Sequence, residues 1–320
     1  MSYFVAVTDS PAAGDLSIER SVLSGIQVEK VSWQDETSLI EALVEADGVL
    51  CMHAPMTARV IRRLPRCRVI ATFGTGLDNI DVDAARAENI FVSGVSDYCT
   101  EEVANHTIAL ILAWNRKLFR AHRFVMEKRW NERTLTTGNW GFVPIHRLSE
   151  QTLGLIGFGF ISRAVASRAI ALGMQVLAYS RRPDQSLADR LGVRLVGLEE
   201  LLQQSDYVSL HTPLTENTRH FMNAERIGSM KPGAVLVNTA RGALVEDEEL
   251  LSALRSKRLG GALLDVYQKA PLPIDHPFRE LENVILTPHV AFYSEGALNA
   301  LRRLAAEVVR DQLTKDEERS

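Results

Sequence analysis

At 320 residues the chain exceeds what one hydrophobic core commonly supports, so two domains are the first expectation. Its 46% hydrophobic and 24% charged content is that of a soluble globular protein, and a formal net charge of -4 argues against a nucleic-acid grip built on bulk positive charge. Cys51, Cys67 and Cys99 lack metal-ligand spacing and read as reduced thiols of a cytoplasmic protein, no apolar run approaches the roughly 20 residues that span a bilayer, and a strand-like YFVAV from residue 3 leaves no room for a signal peptide.

Taken in chain order, short apolar runs alternate with helical patterns. The first half offers strands at YFVAVTD (3–9), VEKVSW (28–33), DGVLCM (47–52), RVIATFG (68–74) and NIFVSG (89–94), with stretches such as TSLIEALVEA between them. Near-continuous apolar strands separated by helices imply a parallel sheet covered on both faces. From Thr100 the spacing predicts one long helix through residue 130, with Thr100 as N-cap and glutamates in the first turn. A turn-rich stretch, TTGNWGFVPIH, leads into a second strand–helix series: TLGLIGFG, MQVLAYS, VRLV, YVSLHT, AVLVNTA, GALLDVY and VILTPH. A last helix over about residues 293–314 and a fraying KDEERS tail close the chain.

The expected fold class is therefore α/β with two doubly wound parallel-sheet domains, a flavodoxin-like one and a Rossmann dinucleotide-binding one. Because the final helix follows the complete second series, it is expected to return to the first domain. That sets the domains at 1–99 with 292–320 and at 100–291, and domain closure is expected from the two crossings.

Within the second series, LGLIGFGFISRAVASRAIALGMQVLAYS reads as strand, tight turn, helix and strand. That is the context a Gly-x-Gly-x-x-Gly fingerprint needs. Gly157 lets the turn close, and Gly159 lets the N–H groups of Phe160 and Ile161 approach a pyrophosphate at the helix N-terminus. Ser162 stands where the third glycine belongs; that position serves helix–strand packing, so a small serine is expected to leave binding intact. The second strand ends in Ser180-Arg181-Arg182, where an NAD site carries a carboxylate for the ribose hydroxyls. A hydroxyl and two guanidiniums suit a 2′-phosphate, so NADP(H) is favoured, with NAD(H) the alternative.

The stretches NTARGALVEDEEL (238–250), GALLDVYQKAPLP (261–273), LTPHV (286–290) and FGTGLDNID (73–81), together with the glycine turn, resemble the D-isomer-specific 2-hydroxyacid dehydrogenase family. The C-terminal PHVAFYSEGALNALRRLAAEV resembles the branch holding the C-terminal-binding-protein corepressors. The resemblance implies a hydride transfer between NAD(P) and a small 2-hydroxy or 2-oxo acid, in a homodimer. It implies that Arg241 orients the substrate carboxylate and polarises the carbonyl, a task suited to a bidentate guanidinium. His289 is implied as the acid/base, since an imidazole can give or take a proton near neutrality. Thr75 and Gly76 are implied as backbone donors to the substrate carboxylate, and Asp265 as the holder of the nicotinamide amide. His211, Thr212 and Pro213 correspond to a wall of the cofactor site, His211 reading as structural.

Two departures matter. The family's catalytic glutamate, which pairs with the histidine, is replaced by Ala270, leaving Gln268 and Glu295 as the nearest polar substitutes in sequence. Turnover is therefore expected to be attenuated, and the alternative reading is a dinucleotide-sensing binding protein of corepressor type. Asn105 stands where the family usually has glutamate. His53, His106 and His146 show no acid/base constellation. Trp114, Phe119, Phe124, Trp130 and Trp140 mark residues 115–144 as either a dimer arm or a segment packed within the monomer.

Overall fold

The computed structural model describes residues 3–11, 14–138, 140, 141 and 144–317. They divide into two compact units, one made of residues up to Cys99 and from Tyr293 onward, the other of Thr100–Phe292.

The first unit is a five-stranded parallel sheet of order β2-β1-β3-β4-β5, with β1 Phe4–Val7, β2 Gln27–Lys30, β3 Gly48–Cys51, β4 Val69–Thr72 and β5 Phe91–Ser93. β3 and β4 are buried along their whole length, which is why they read as unbroken apolar runs. One face packs under Leu39, Leu43, Val60 and Ile61; the other is covered by Leu301, Ala305 and Val309 of the terminal helix Glu295–Glu317. Ser294 caps that helix, its Oγ accepting from the Ala297 N–H at 2.9 Å. The helix passes 314, so the first three residues of KDEERS are helical, while the fraying expected beyond them concerns 318–320, outside the described residues.

The second unit is a seven-stranded parallel sheet of order β12-β11-β10-β9-β6-β7-β8. Its strands are β6 Thr152–Ile156, β7 Gln175–Tyr179, β8 Arg194–Leu195, β9 Tyr207–Leu210, β10 Val235–Asn238, β11 Gly261–Leu264 and β12 Val284–Leu286. The order runs outward both ways from β6 and β9, so the topological switch point lies between them. All twelve expected strands are present, most of them trimmed at the C-terminal end because the last residues turn away into loops.

The single helix expected from 100 to 130 is instead two, Thr100–Asn115 and Leu118–Met126. Lys117 breaks it in a left-handed conformation (φ 55°), with its ammonium 4.4 Å from the centre of the Trp114 ring. Asn115 turns its amide to the His146 carbonyl and to Gln151, both at 3.1 Å, which anchors the break. Thr100 is the first helical residue and not the residue before it. The turn expected at TTGNWGFVPIH begins at Gly138 (φ 64°), which closes the helix Glu132–Thr137; residues 139, 142 and 143 lie outside the described set.

Candidate active site

Strand register aligns the C-terminal edge of the seven-stranded sheet. Tyr179 pairs with Ile156, Ile156 with Leu210, Leu210 with Asn238, Asn238 with Leu264, and Leu264 with Leu286. The next residue on each strand therefore forms a row: Ser180, Gly157, His211, Thr239, Asp265 and Thr287. Inter-strand steps of about 4.8 Å give that row a length of about 24 Å. The row brings the expected ribose, pyrophosphate and catalytic positions of this unit to one edge.

At the switch point, Gly157 is in the positive-φ region at 102°, and a Cβ on it would lie 2.2 Å from the His211 carbonyl oxygen. Only glycine combines that conformation with that approach. Its N–H donates to the Tyr179 carbonyl at 2.9 Å, and its own carbonyl accepts from Ser162 Oγ at 2.7 Å. Ser162 is fully buried, so the serine in place of the third glycine ties the turn to the helix it opens. Gly159 is the N-cap of helix Phe160–Ala171, no side chain caps that end, and a Cβ on Gly159 would meet nothing within 4 Å. The first-turn N–H groups, Phe160 and Ile161 among them, have no acceptor within the helix and carry the positive end of its dipole. A pyrophosphate fits this cradle. Phe160 is exposed, and the Arg163 guanidinium lies 5.4 Å from the Phe158 ring centre and 6.0 Å from that of Phe160.

After β7, Ser180 Oγ accepts from the Arg182 N–H at 3.2 Å and donates to the Arg182 carbonyl at 3.0 Å, folding the loop into a tight turn. Arg181 and Arg182 are exposed. The nearest following carboxylate, Asp184, caps helix Gln185–Leu191 by accepting from the Leu187 N–H at 3.0 Å. After β9, His211 shares a 2.9 Å hydrogen bond with Ser209 Oγ, and burial pushes its imidazole down to about 4. It is a neutral structural histidine at neutral pH. Thr212 is half-buried and Pro213 exposed, with the Pro213 carbonyl accepting from Thr218 Oγ1 at 2.7 Å.

Arg241 and His289 follow β10 and β12. Asn238, 1% exposed, donates to the Arg241 carbonyl at 2.9 Å and accepts from the Ala240 N–H at 3.0 Å. Its side chain thus closes the turn that presents the half-buried arginine. Gly242 then presses onto the Tyr267–Gln268 backbone, locking the loop after β10 against the loop after β11. His289 is exposed and left-handed (φ 55°), its N–H donating to the Asp265 carbonyl oxygen at 2.8 Å and its ring edge-on to Phe292 with centres 6.0 Å apart.

Asp265 is fully buried. Where the resemblance implied a hold on the nicotinamide amide, its carboxylate is engaged by the Thr287 hydroxyl (2.6 Å) and the N–H groups of Val290 (3.0 Å) and Ala291 (2.9 Å). Ala270 is exposed, and Gln268, one of its two possible substitutes, donates to the Val245 carbonyl at 2.7 Å. Asn105 accepts from Arg168 Nε at 2.7 Å, a guanidinium–amide tie between two helices.

Thr75 and Gly76 lie in the other unit, in the loop after β4. Thr75 Oγ1 donates to the Val95 carbonyl at 2.9 Å, and Gly94 permits this crossing, since a Cβ there would be 2.7 Å from the Thr75 carbonyl oxygen. The Asn79 amide donates to the Ala54 carbonyl at 2.8 Å, fixing the loop after β3 to the loop after β4. Asp9 accepts from the Met52 and His53 N–H groups and pins the same edge. Sequence reasoning assigned nothing to Asp9, Asn79, Asn238, His106 or Thr287. The signal for Asn238 and Thr287 was their place inside NTARG and LTPHV.

Residues 108–291 match the model of the D-isomer specific 2-hydroxyacid dehydrogenase family, NAD binding domain. The chain belongs to that family. This dehydrogenase is 37% identical over 281 residues to a glyoxylate reductase of Korarchaeum cryptofilum, covering 86% of this chain and 83% of the other. Its structure is similar to the D-lactate dehydrogenase of Aquifex aeolicus solved with NAD and lactic acid (TM-score 0.85, 30% identity, 98% and 96% of the two chains). It is also similar to an acyclic imino acid reductase solved with NADPH and D-Arg (TM-score 0.84, 29% identity, 98% and 97%). The dehydrogenase is thus an oxidoreductase moving a hydride between a nicotinamide dinucleotide and a 2-hydroxy or 2-oxo acid. No described helix is long and apolar enough to cross a membrane.

Proposed function

We propose that this dehydrogenase works as a reductase of small 2-oxo acids and prefers NADP(H) to NAD(H). The observation that carries the reading is the row of strand ends: the phosphate cradle after β6, Arg241 after β10 and His289 after β12 share one sheet edge. The glycine turn would hold the pyrophosphate, Ser180, Arg181 and Arg182 the adenosine-ribose end, and Thr212 and Pro213 a wall of the site. Bound there, a nicotinamide dinucleotide supplies the two-electron chemistry at the substrate's carbonyl carbon. Arg241 holds the carboxylate in a bidentate grip and polarises the carbonyl, and His289 delivers the proton to the carbonyl oxygen. Ala270 stands where the family resemblance places the carboxylate that orients the histidine, and the rate is attenuated accordingly.

The exposed arginines beside Ser180, with Asp184 committed to a helix cap, support the NADP(H) preference. Exposed Phe119, Met126 and Trp130 support the homodimer, three buried cysteines outside any disulfide a reducing cytoplasm, and the net charge of -4 the absence of nucleic-acid partners. The relatives described above are reductases and dehydrogenases, and nothing favours the corepressor-type alternative.

Oxidation of NADPH and of NADH, followed against glyoxylate, hydroxypyruvate and bulkier 2-oxo acids, tests the reading. Turnover with at least one acid is expected, with kcat/KM higher for NADPH and the preference lost in R181A/R182A. Tight cofactor binding without turnover of any acid, even after Ala270→Glu, would refute it.

A further inference from the structure

Beneath the His289 loop lies a polar chain that begins on a different element. His106 sits in the second turn of helix Thr100–Asn115, and its Nε2 is 3.1 Å from Thr287 Oγ1. Thr287 Oγ1 in turn lies 2.6 Å from Asp265 Oδ1, and the Asp265 carboxylate receives the N–H groups of Val290 and Ala291. The Asp265 main-chain carbonyl takes the His289 N–H. Thr287, Val290 and Ala291 are therefore held by one buried carboxylate, and between them stands His289, tied to the main-chain carbonyl of the same residue in a left-handed conformation uncommon for a non-glycine residue.

Proton counting fixes the direction of the chain. An ionised carboxylate only accepts, and a threonine hydroxyl has one proton. If Thr287 gives that proton to Asp265 at 2.6 Å, it can only accept from His106, so His106 must carry its proton on Nε2. The next residue of the helix repeats the theme. Thr107 Oγ1 lies 3.0 Å from Thr239 Oγ1, two residues before Arg241, and Thr107 donates to the Val103 carbonyl at 2.8 Å. One helical turn thus reaches both loops on which the proposed chemistry stands, His106 toward His289 and Thr107 toward Arg241.

We propose that His106, as its Nε2–H tautomer, is a positioning residue for His289, acting through the Thr287 hydroxyl and the Asp265 carboxylate. It touches neither substrate nor cofactor in this role. Its donor orients the Thr287 hydroxyl, the hydroxyl orients the carboxylate, and the carboxylate sets the loop that aims the imidazole. The inference rests on the reading of His289 as the proton donor.

The test compares His106→Phe, His106→Gln, Thr287→Val, the double variant H106F/T287V and His289→Asn in the full chain. Initial rates with NADPH and the best 2-oxo acid give kcat and KM; NADPH fluorescence titration gives Kd. The Phe variant is expected to lose about tenfold to a hundredfold in kcat, the scale set by misplacing a reacting group by a fraction of an ångström to an ångström, with the NADPH Kd within about twofold. The Gln variant, whose amide still donates, should recover most of that loss. Because both single changes break the same chain, the double variant should be no slower than the slower single one. Full kcat in the Phe and Val variants, with turnover abolished by His289→Asn, overturns the positioning role and leaves His289 standing. Full kcat in His289→Asn overturns the reading beneath it. Should His106→Phe fail to fold, the Thr287→Val and His106→Gln pair decides alone: a fall in the first without a fall in the second supports the chain, and equal rates overturn it.

Discussion

At Gly242 an added Cβ would lie 1.9 Å from the carbonyl carbon of Tyr267, 2.0 Å from its oxygen and 2.4 Å from the Gln268 nitrogen. These are backbone atoms, so no rotamer change relieves the clash, and either the Arg241 loop or the loop after β11 must move. Gly242→Ala is expected to destabilise the fold by about 1–3 kcal/mol, the usual scale of overpacking. It should also reduce kcat/KM by about a hundredfold, because the displaced residue is next to Arg241. Rates and urea unfolding of the purified variant check both; activity within threefold of the parent would mean that the two loops do not need to touch. The same scale shows what a motif can and cannot reveal. Arg241 and His289 can be proposed from the sequence because each sits in a string of neighbours, NTARG and TPH, whose spacing carries the resemblance. His106 stands far from Thr287 in sequence but forms a hydrogen bond with it, and nothing in the residues around His106 announces a partner so distant along the chain. Ser162 was read as a packing residue, and its burial agrees, but its bond to the Gly157 carbonyl depends on a turn geometry that only the folded chain displays.

Among the elements, β9 couples the cofactor edge to pH through His211. Burial depresses this imidazole from 6.5 to about 4, so the folded state holds it neutral where the unfolded chain would protonate it. Between those two values the unfolded state binds more protons, so stability is complete above about pH 6.5 and is lost as pH falls toward 4. A shift of this size corresponds to a few kcal/mol at the acid end, on the order of 3 kcal/mol. His211→Asn is expected to flatten the acid limb of a melting-temperature profile between pH 4 and 6.5 while leaving the neutral value little changed; an unaltered acid limb would assign the loss to other groups. The strands themselves were the most legible elements, since parallel strands covered on both faces must be apolar throughout and read as runs. Their ends were overextended because each motif runs on past its strand, and Gly157, Thr239, Asp265 and Thr287 already belong to the loops that follow β6, β10, β11 and β12. The break at Lys117 was invisible because the helical spacing continues through it: what ends the helix is the Asn115 amide reaching His146 and Gln151, a tertiary tie that local propensity does not encode.

At the scale of the molecule, the chain's last helix is fastened to the first unit by a buried ion pair. Arg302 donates to Glu19 at 2.7 and 2.8 Å and to the Asp15 carbonyl at 2.6 Å, with the Glu19 side chain fully buried and that of Arg302 nearly so. Removing Glu19 leaves the nearly buried guanidinium with the exposed Asp15 carboxylate at 3.3 Å as its charge partner, so Glu19→Ala should cost about 3 kcal/mol in denaturant unfolding, whereas the double change Glu19→Leu with Arg302→Met should lie close to the parent. Equal losses in the two would show the pair to be uncoupled. A different surface bears on assembly. Leu118, Phe119, Val125, Met126, Trp130 and Leu135 are all exposed within a short stretch that also carries Arg116, Lys117, Arg120, Arg123, Lys128 and Arg129, and Met126 is 68% exposed. Of the expected aromatics Phe124 is buried, under the Arg129 guanidinium at 5.1 Å, Trp114 packs half-buried against the core, Trp140 is half-buried, and Phe119 and Trp130 are exposed. A cluster of this kind marks an association surface, and the second copy of the chain that the family resemblance implies is its proposed occupant. Phe119→Asp with Trp130→Asp places charge where that copy would desolvate it, so the variant should sediment as a monomer at concentrations where the parent is a dimer, with its helical circular dichroism retained. A parent that is itself monomeric at micromolar concentration would remove the dimer from the proposal and leave the arm's exposed side chains to another partner.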